Sequence, residues 1–203
     1  MAHNLIITIG RQYGSGGREI GQKLALRLGI PFYDRELIAR AAKKSGFSED
    51  LFEQLDKRAT NSLLYSLTMF GSTGLNGMSL TDQLFLAQAN VLREIADAGP
   101  AVLVGRCADH VLREYDNRFD FFIHGLLDDR LQRIQTSGEY ELGGKSPRAT
   151  LEKMDKQRAT YYNYYTGKVW GKCDHYDLCI NAGRLGVDAS IEIILDYVNA
   201  LKK

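Results

Sequence analysis

The chain has 203 residues, 44% of them hydrophobic, which is enough for one good core and points to a single domain over 1–203. Lys and Arg number 26 against 25 Asp and Glu, a net charge of +1, so no global field draws the chain toward nucleic acid or an acidic membrane. Any phosphate chemistry must come from a local cluster.

In chain order, the first signal is the apolar run Leu5 to Ile9, read as a strand. The glycine-rich stretch GRQYGSGGRE, Gly10 to Glu19, follows it and leads into an amphipathic helix with Ile20, Leu24, Leu26 and Leu28. Glycines between a strand and a helix let successive backbone N–H groups turn inward around phosphate oxygens while the helix offers its N-terminus. Gly10, Gly14, Ser15, Gly16, Gly17 and Glu19 are therefore candidate phosphate-loop positions. The usual pattern G-x-x-x-x-G-K-[ST] also has a lysine for the outer phosphates and a hydroxyl for magnesium. Here Gly17 and Arg18 follow Gly16. Arg18 is the candidate replacement for the lysine charge, with Arg11 flanking the loop from the other side; both suit bidentate phosphate contacts. The alternative is a plain strand-to-helix turn whose arginines face water.

Further along, Ser48 with acids behind it reads as a helix start. Residues 61–80 hold Gly71, Gly74 and Gly77 amid apolar side chains, too apolar for a free linker and too rich in glycine for a rigid helix, and read as a mobile flap. A helix over Thr81–Ala98 precedes strands at Ala101–Val104 and Phe119–Ile123, with a weaker strand at Asp177–Ile180 and a closing helix over Asp188–Leu201. Strands alternating with helices indicate an α/β fold with a parallel sheet and helices on both faces. Residues 138–148 form a second candidate mobile segment, followed by a basic, aromatic helix from Ala149. Tyr161, Tyr162, Tyr164 and Tyr165 cannot share one helical face. Core packing, stacking on a base and contact with a partner chain, as in a homodimer, all stay open for them and for Trp170.

Cys107, Cys173 and Cys179 are odd in number and form no C-x-x-C pair, which argues against a disulfide framework or a zinc cage. His3, His110, His124 and His175 lack the i, i+4 pairing of a helical metal site, so the metal ligands are unassigned. The start carries no basic region followed by a long apolar stretch, and no later run approaches about 18 apolar residues. The expectation is a soluble, cytoplasmic protein with no membrane partner. Binding of nucleic acid by the tyrosine-rich helix would need a continuous basic track that this chain lacks.

These segments, from IITIGRQYGSGGREIGQKLA to DLCINAGRLGVDASIEIILDYV, resemble the cytidylate-kinase-like group of P-loop nucleotide kinases over nearly the whole chain, in a branch with an altered loop. The resemblance implies a P-loop fold with an acceptor flap at 61–80 and a lid at 138–170. It implies phosphoryl transfer from ATP, with Mg2+ as cofactor, to a nucleoside monophosphate, CMP or dCMP first. A nucleotide-binding sensor with little activity, or a kinase of another small metabolite, is the alternative. Asp34 and Arg40 match the family's acceptor contacts, and Arg106 after Gly105 matches its acceptor-phosphate arginine. The acid that precedes that glycine in the family is Val104 here, leaving Asp109, Asp34 or Glu19 as substitutes. Arg130, Arg133, Arg148, Lys153 and Arg158 match the lid's cations, and Arg18, Arg106 and Arg158 are the catalytic candidates.

Overall fold

The computed structural model describes residues 5–34, 79–138, 140 and 146–201. Its centre is a five-stranded parallel sheet in the order β2-β3-β1-β4-β5. The strands are β1 (Ile6–Arg11), β2 (Phe32–Tyr33), β3 (Ala101–Val104), β4 (Arg118–His124) and β5 (Leu178–Asn181). β1 is central, pairing Ile6–Ile9 with Ala101–Val104 on one side and Ile6–Arg11 with Arg118–Ile123 on the other. The chain leaves β1 toward one edge of the sheet and later crosses to the other, so the C-terminal end of β1 is the crevice where α/β sheets bind ligands.

Alternating side chains of the same strands feed two separate cores. Ile7, Ile9, Val102, Val104, Phe121 and Ile123 pack on one face against Ile20 and Leu24 of α1 (Gly17–Leu28) and against Ile191, Ile194 and Val198 near the C-terminus. Ile6, Ala101 and Leu103 face the other way, onto Leu84 and Leu92 of α2 (Leu80–Ala98) and onto Val111 of the short α3 (Ala108–Val111). Covered on both faces, the strands need no polar alternation, which is why they read as plain apolar runs.

Three further helices complete the described fold: α4 (Leu127–Thr136), α5 (Pro147–Thr166) and α6 (Ala182–Leu201). The expected closing helix from Asp188 is thus one part of α6, which breaks at Gly186, with φ 77° and ψ 171°. α5 starts before the expected Ala149, because Ser146 accepts a capping bond from the Ala149 N–H and Pro147 fits the first turn. Ser79 caps α2 in the same way through the Asp82 N–H. The helix start at Ser48, Arg40 and residues 61–78 of the expected flap lie outside the described residues. No helix among the described residues is long and apolar enough to cross a membrane.

Candidate active site

The loop between β1 and α1 curls because Gly14 and Gly16 take φ of 76° and 81°, a left-handed conformation that side chains with a Cβ rarely adopt. Gly16 caps α1 with no side-chain bond of its own to the helix's first amides, and that end carries the positive end of the helix dipole. Glutamine and serine brace the loop: Gly125 N–H donates to Gln12 Oε1 at 3.2 Å, and Ser15 Oγ donates to the Gln12 carbonyl at 2.9 Å. A cavity of about 290 Å³ opens at the loop, lined by Gly14, Gly16, Gly17, Arg11, Arg18 and Arg158 among others. That is close to the smallest size typical of a small-molecule site.

Helix α5 lies over this mouth. Asp155 accepts from the Tyr13 N–H at 2.6 Å and from Arg130 Nη1 at 2.5 Å, tying α5, the loop and α4 together. One turn on, Arg158 Nη1 donates to the Arg11 carbonyl at 3.0 Å, and its guanidinium stands 5.3 Å from the Tyr13 ring centroid. Tyr140 meets the same ring edge-on at 5.1 Å. Tyr13 and Asp155 were not among the candidates read from the sequence; the D-x-x-R spacing of Asp155 and Arg158 on one helix face was the available signal.

A second cavity lies at the end of β3, where Gly105, Arg106 and Cys107 take φ of 85°, 57° and 56° in succession. Non-glycine residues there are strained, and such strain tends to persist where a site requires it. Arg106 is buried, 5.9 Å from the Tyr161 ring centroid. Asp109 lines the same cavity and accepts a 2.6 Å bond from the Tyr162 hydroxyl. Burial and the Asp109 charge raise the Tyr162 pKa, keeping the phenol a donor. Burial likewise pushes the Cys107 thiol up, so it is no nucleophile. Arg11 and Arg158 line both this cavity and the one at the loop.

A third cavity, about 280 Å³, lies on the loop's other side between Ser15, Arg130, Arg133 and the start of α6. Asp129 lines it as well, with a buried Oδ2, packed beside Gly183, that has no hydrogen-bond partner among the described residues.

The sequence candidates thus divide. Gly10, Arg11, Gly14, Gly16, Gly17, Arg106, Asp109 and Arg158 converge on the two adjoining cavities. Arg18 reaches the loop's rim, but its Nε donates to Asp34 Oδ2 at 2.8 Å and its side chain is 50% exposed. Glu19 pairs with Arg133 and Lys23. Arg148 pairs with Glu152 on the exposed side of α5, and Lys153 is exposed there too, so neither joins the site. The tyrosines split: Tyr162 is buried, Tyr164 exposed, and Tyr165 stacks on Phe85 of α2 with centroids 4.0 Å apart.

The described residues do not fit a magnesium ion held by the protein. Arg18 stands at the place of the loop hydroxyl and Val104 at that of the strand-end acid, and no group of three His, Cys, Asp or Glu is placed for a metal among the described residues.

A sequence profile of the cytidylate kinase-like family matches residues 6–184, from the first residue of β1 to the start of α6. The chain belongs to the cytidylate kinase-like family. Among solved structures, this family member is similar to an uncharacterized protein from Eubacterium ventriosum ATCC 27560, 28% identical with a TM-score of 0.73, covering 96% of this chain and 98% of that one. It is similar in fold to shikimate kinase from Bacteroides thetaiotaomicron, at 15% identity and a TM-score of 0.58 over 96% of this chain and 98% of that one. Deoxyadenosine kinase from M. mycoides shares the fold at 13% identity and a TM-score of 0.51, over 97% of this chain and 100% of that one. Nothing among curated proteins matches the chain. The fold of this cytidylate kinase-like chain is the α/β parallel-sheet fold of P-loop kinases, as its sequence led us to expect.

Proposed function

We propose that this chain is a phosphotransferase that moves the terminal phosphoryl group of ATP, or another nucleoside triphosphate, to a nucleoside monophosphate, with CMP or dCMP the first acceptor to try. The observation that carries the reading is the joint lining of two cavities by Arg11 and Arg158: one cavity opens on the glycine loop, the other holds buried Arg106. Donor phosphates would lie on the loop amides and the α1 N-terminus, and the acceptor phosphate beside Arg106. In the transfer, the bond from the γ-phosphorus to its bridging oxygen breaks as a bond to an acceptor phosphate oxygen forms. Charge spreads over the equatorial oxygens, so positioning and fixed cations supply most of the catalysis and no protein nucleophile is needed. Arg158, held over the loop by its bond to the Arg11 carbonyl, would do that work.

A second reading has a specific observation behind it. The loop lysine, the loop hydroxyl and the strand-end acid are replaced by Gly17, Arg18 and Val104, which suits a nucleotide-binding sensor without turnover. Another small-metabolite acceptor would serve the same cavities. ATP consumption against a panel of nucleoside monophosphates, with thermal shift by ATP alone, separates these. Turnover on a monophosphate supports the kinase; an ATP shift without turnover on any of them supports the sensor or another acceptor, and no shift removes both readings.

A further inference from the structure

The loop departs from the usual pattern at both ends. With Gly16 as the second glycine of G-x-x-x-x-G-K-[ST], the first glycine falls on Arg11 and the lysine falls on Gly17. A glycine has become an arginine and a lysine has become a glycine. The structure gives these changes one physical cause. A Cβ on Gly17 would lie 2.6 Å from the Arg11 Cβ and 3.1 Å from that of Ile123, so any side chain at 17 collides with the root of Arg11. The arginine then continues to the end of β3, where a Cβ on Gly105 would strike its Nη1. Arg11 therefore passes over one glycine and ends over another, and its guanidinium reaches the β3 end that carries Arg106.

We propose that Arg11 and the loop lysine have exchanged places: the Arg11 guanidinium, threaded across Gly17 to Gly105, is the cation that holds the transferring phosphate. This rests on the phosphotransferase reading and deepens it. Arg11 lines both cavities, its stem beside Gly17 of the loop and its guanidinium at Gly105 of the β3 end, so the charge would face the side from which the acceptor approaches the donor's outer phosphate. A planar guanidinium can grip two phosphate oxygens at once, as a lysine cannot. Arg18, the sequence-based candidate for this role, occupies the hydroxyl's place in the pattern and directs its Nε to Asp34.

The test is an exchange of residues, read by calorimetric titration with ATP and with adenosine and by turnover on the wild type's acceptor, with melting of each variant as a check on folding. Arg11→Met keeps an apolar stem over Gly17 and deletes the charge. It should weaken ATP binding about 10- to 100-fold, the range for a lost charged hydrogen bond, and leave adenosine binding unchanged. Gly17→Lys alone should lose ATP affinity and melt lower, because Cβ meets Cβ and no rotamer relieves it. Arg11→Gly should be as weak as Arg11→Met, whereas Arg11→Gly/Gly17→Lys, which restores the glycine and the lysine of the usual pattern and leaves Arg18 at the hydroxyl's place, should recover ATP affinity to within about tenfold of wild type. Wild-type ATP affinity and turnover in Arg11→Met would overturn the exchange and leave the phosphotransferase reading standing. A folded double variant no better than Arg11→Gly would do the same. A wild-type chain that binds no ATP would remove both.

Discussion

Arg106 carries the acceptor side of the account. It follows Gly105 at the end of β3 in a left-handed conformation, buried at 8% exposure, in the cavity that adjoins the loop. Arg106→Ala should raise the KM for the acceptor at least about tenfold, the worth of a charged hydrogen bond, with donor affinity nearly unchanged. Equal losses for donor and acceptor would contradict that assignment. Asp120, on β4, makes a prediction of another kind. Burial raises its carboxyl to about 6, against the opposing pull of the Thr8 hydroxyl and of Arg118. A folded-state pKa above the unfolded value means the native protein holds this proton more tightly. The resulting stabilisation is full below about pH 4 and is lost as pH rises through about 6, the reverse of an ordinary paired carboxylate. Urea midpoints between pH 4 and 7 should show this component in wild type and lack it in Asp120→Asn; identical profiles would contradict it. At this scale the sequence was partly legible. Arg106 could be found because the run Ala101 to Arg106 resembles the strand and Gly-Arg turn of the cytidylate-kinase-like family. The route of Arg11 could not, since spacing tells nothing of which side chain fills the volume beside a glycine.

At the scale of elements, the glycine loop is held from above by α5. Asp155 links the Tyr13 N–H to Arg130, and the side chains of that ion pair are only 15% and 10% exposed. Asp155→Ala would leave Arg130 buried without its counter-charge and should cost about 3–5 kcal/mol, as broken buried pairs do. Chemical denaturation measures it, and a loss under about 1 kcal/mol, typical of an exposed pair, would show that α5 is not anchored this way. The helix was visible in the sequence as a basic, aromatic segment. Its anchoring was not, because the cations drew attention and the acid among them made the contact. Arg148 and Lys153 show the converse: matching residue types on the wrong face of the same helix. β1 and β3 were legible as apolar runs that end at a glycine, and β4 as an aromatic run, whereas the two-residue β2 was too short to read. The start of α6 was less legible, since Gly186 interrupts the periodic pattern.

For the whole molecule, one sheet with β1 at its centre places the loop, the β3 turn and α5 around a single crevice. The arrangement depends on cores on both faces; Leu24 and Leu92 are fully buried on opposite sides. Either one changed to Ala should cost about 2–5 kcal/mol, and the loss should be similar on the two sides. The alternation of apolar runs and amphipathic helices foretold this layering, while acceptor and metal did not follow from it, because a fold carries no reaction until particular side chains are placed on it. The central claim is that arginines perform phosphoryl transfer on a loop without its lysine. Phosphorus NMR of the protein with ATP and CMP tests this most directly, since it reports the product. The account predicts that CDP and ADP appear together in equal amounts. ADP and inorganic phosphate without CDP would contradict CMP as acceptor, and ATP left unchanged with every nucleoside monophosphate while the protein binds it would contradict the claim.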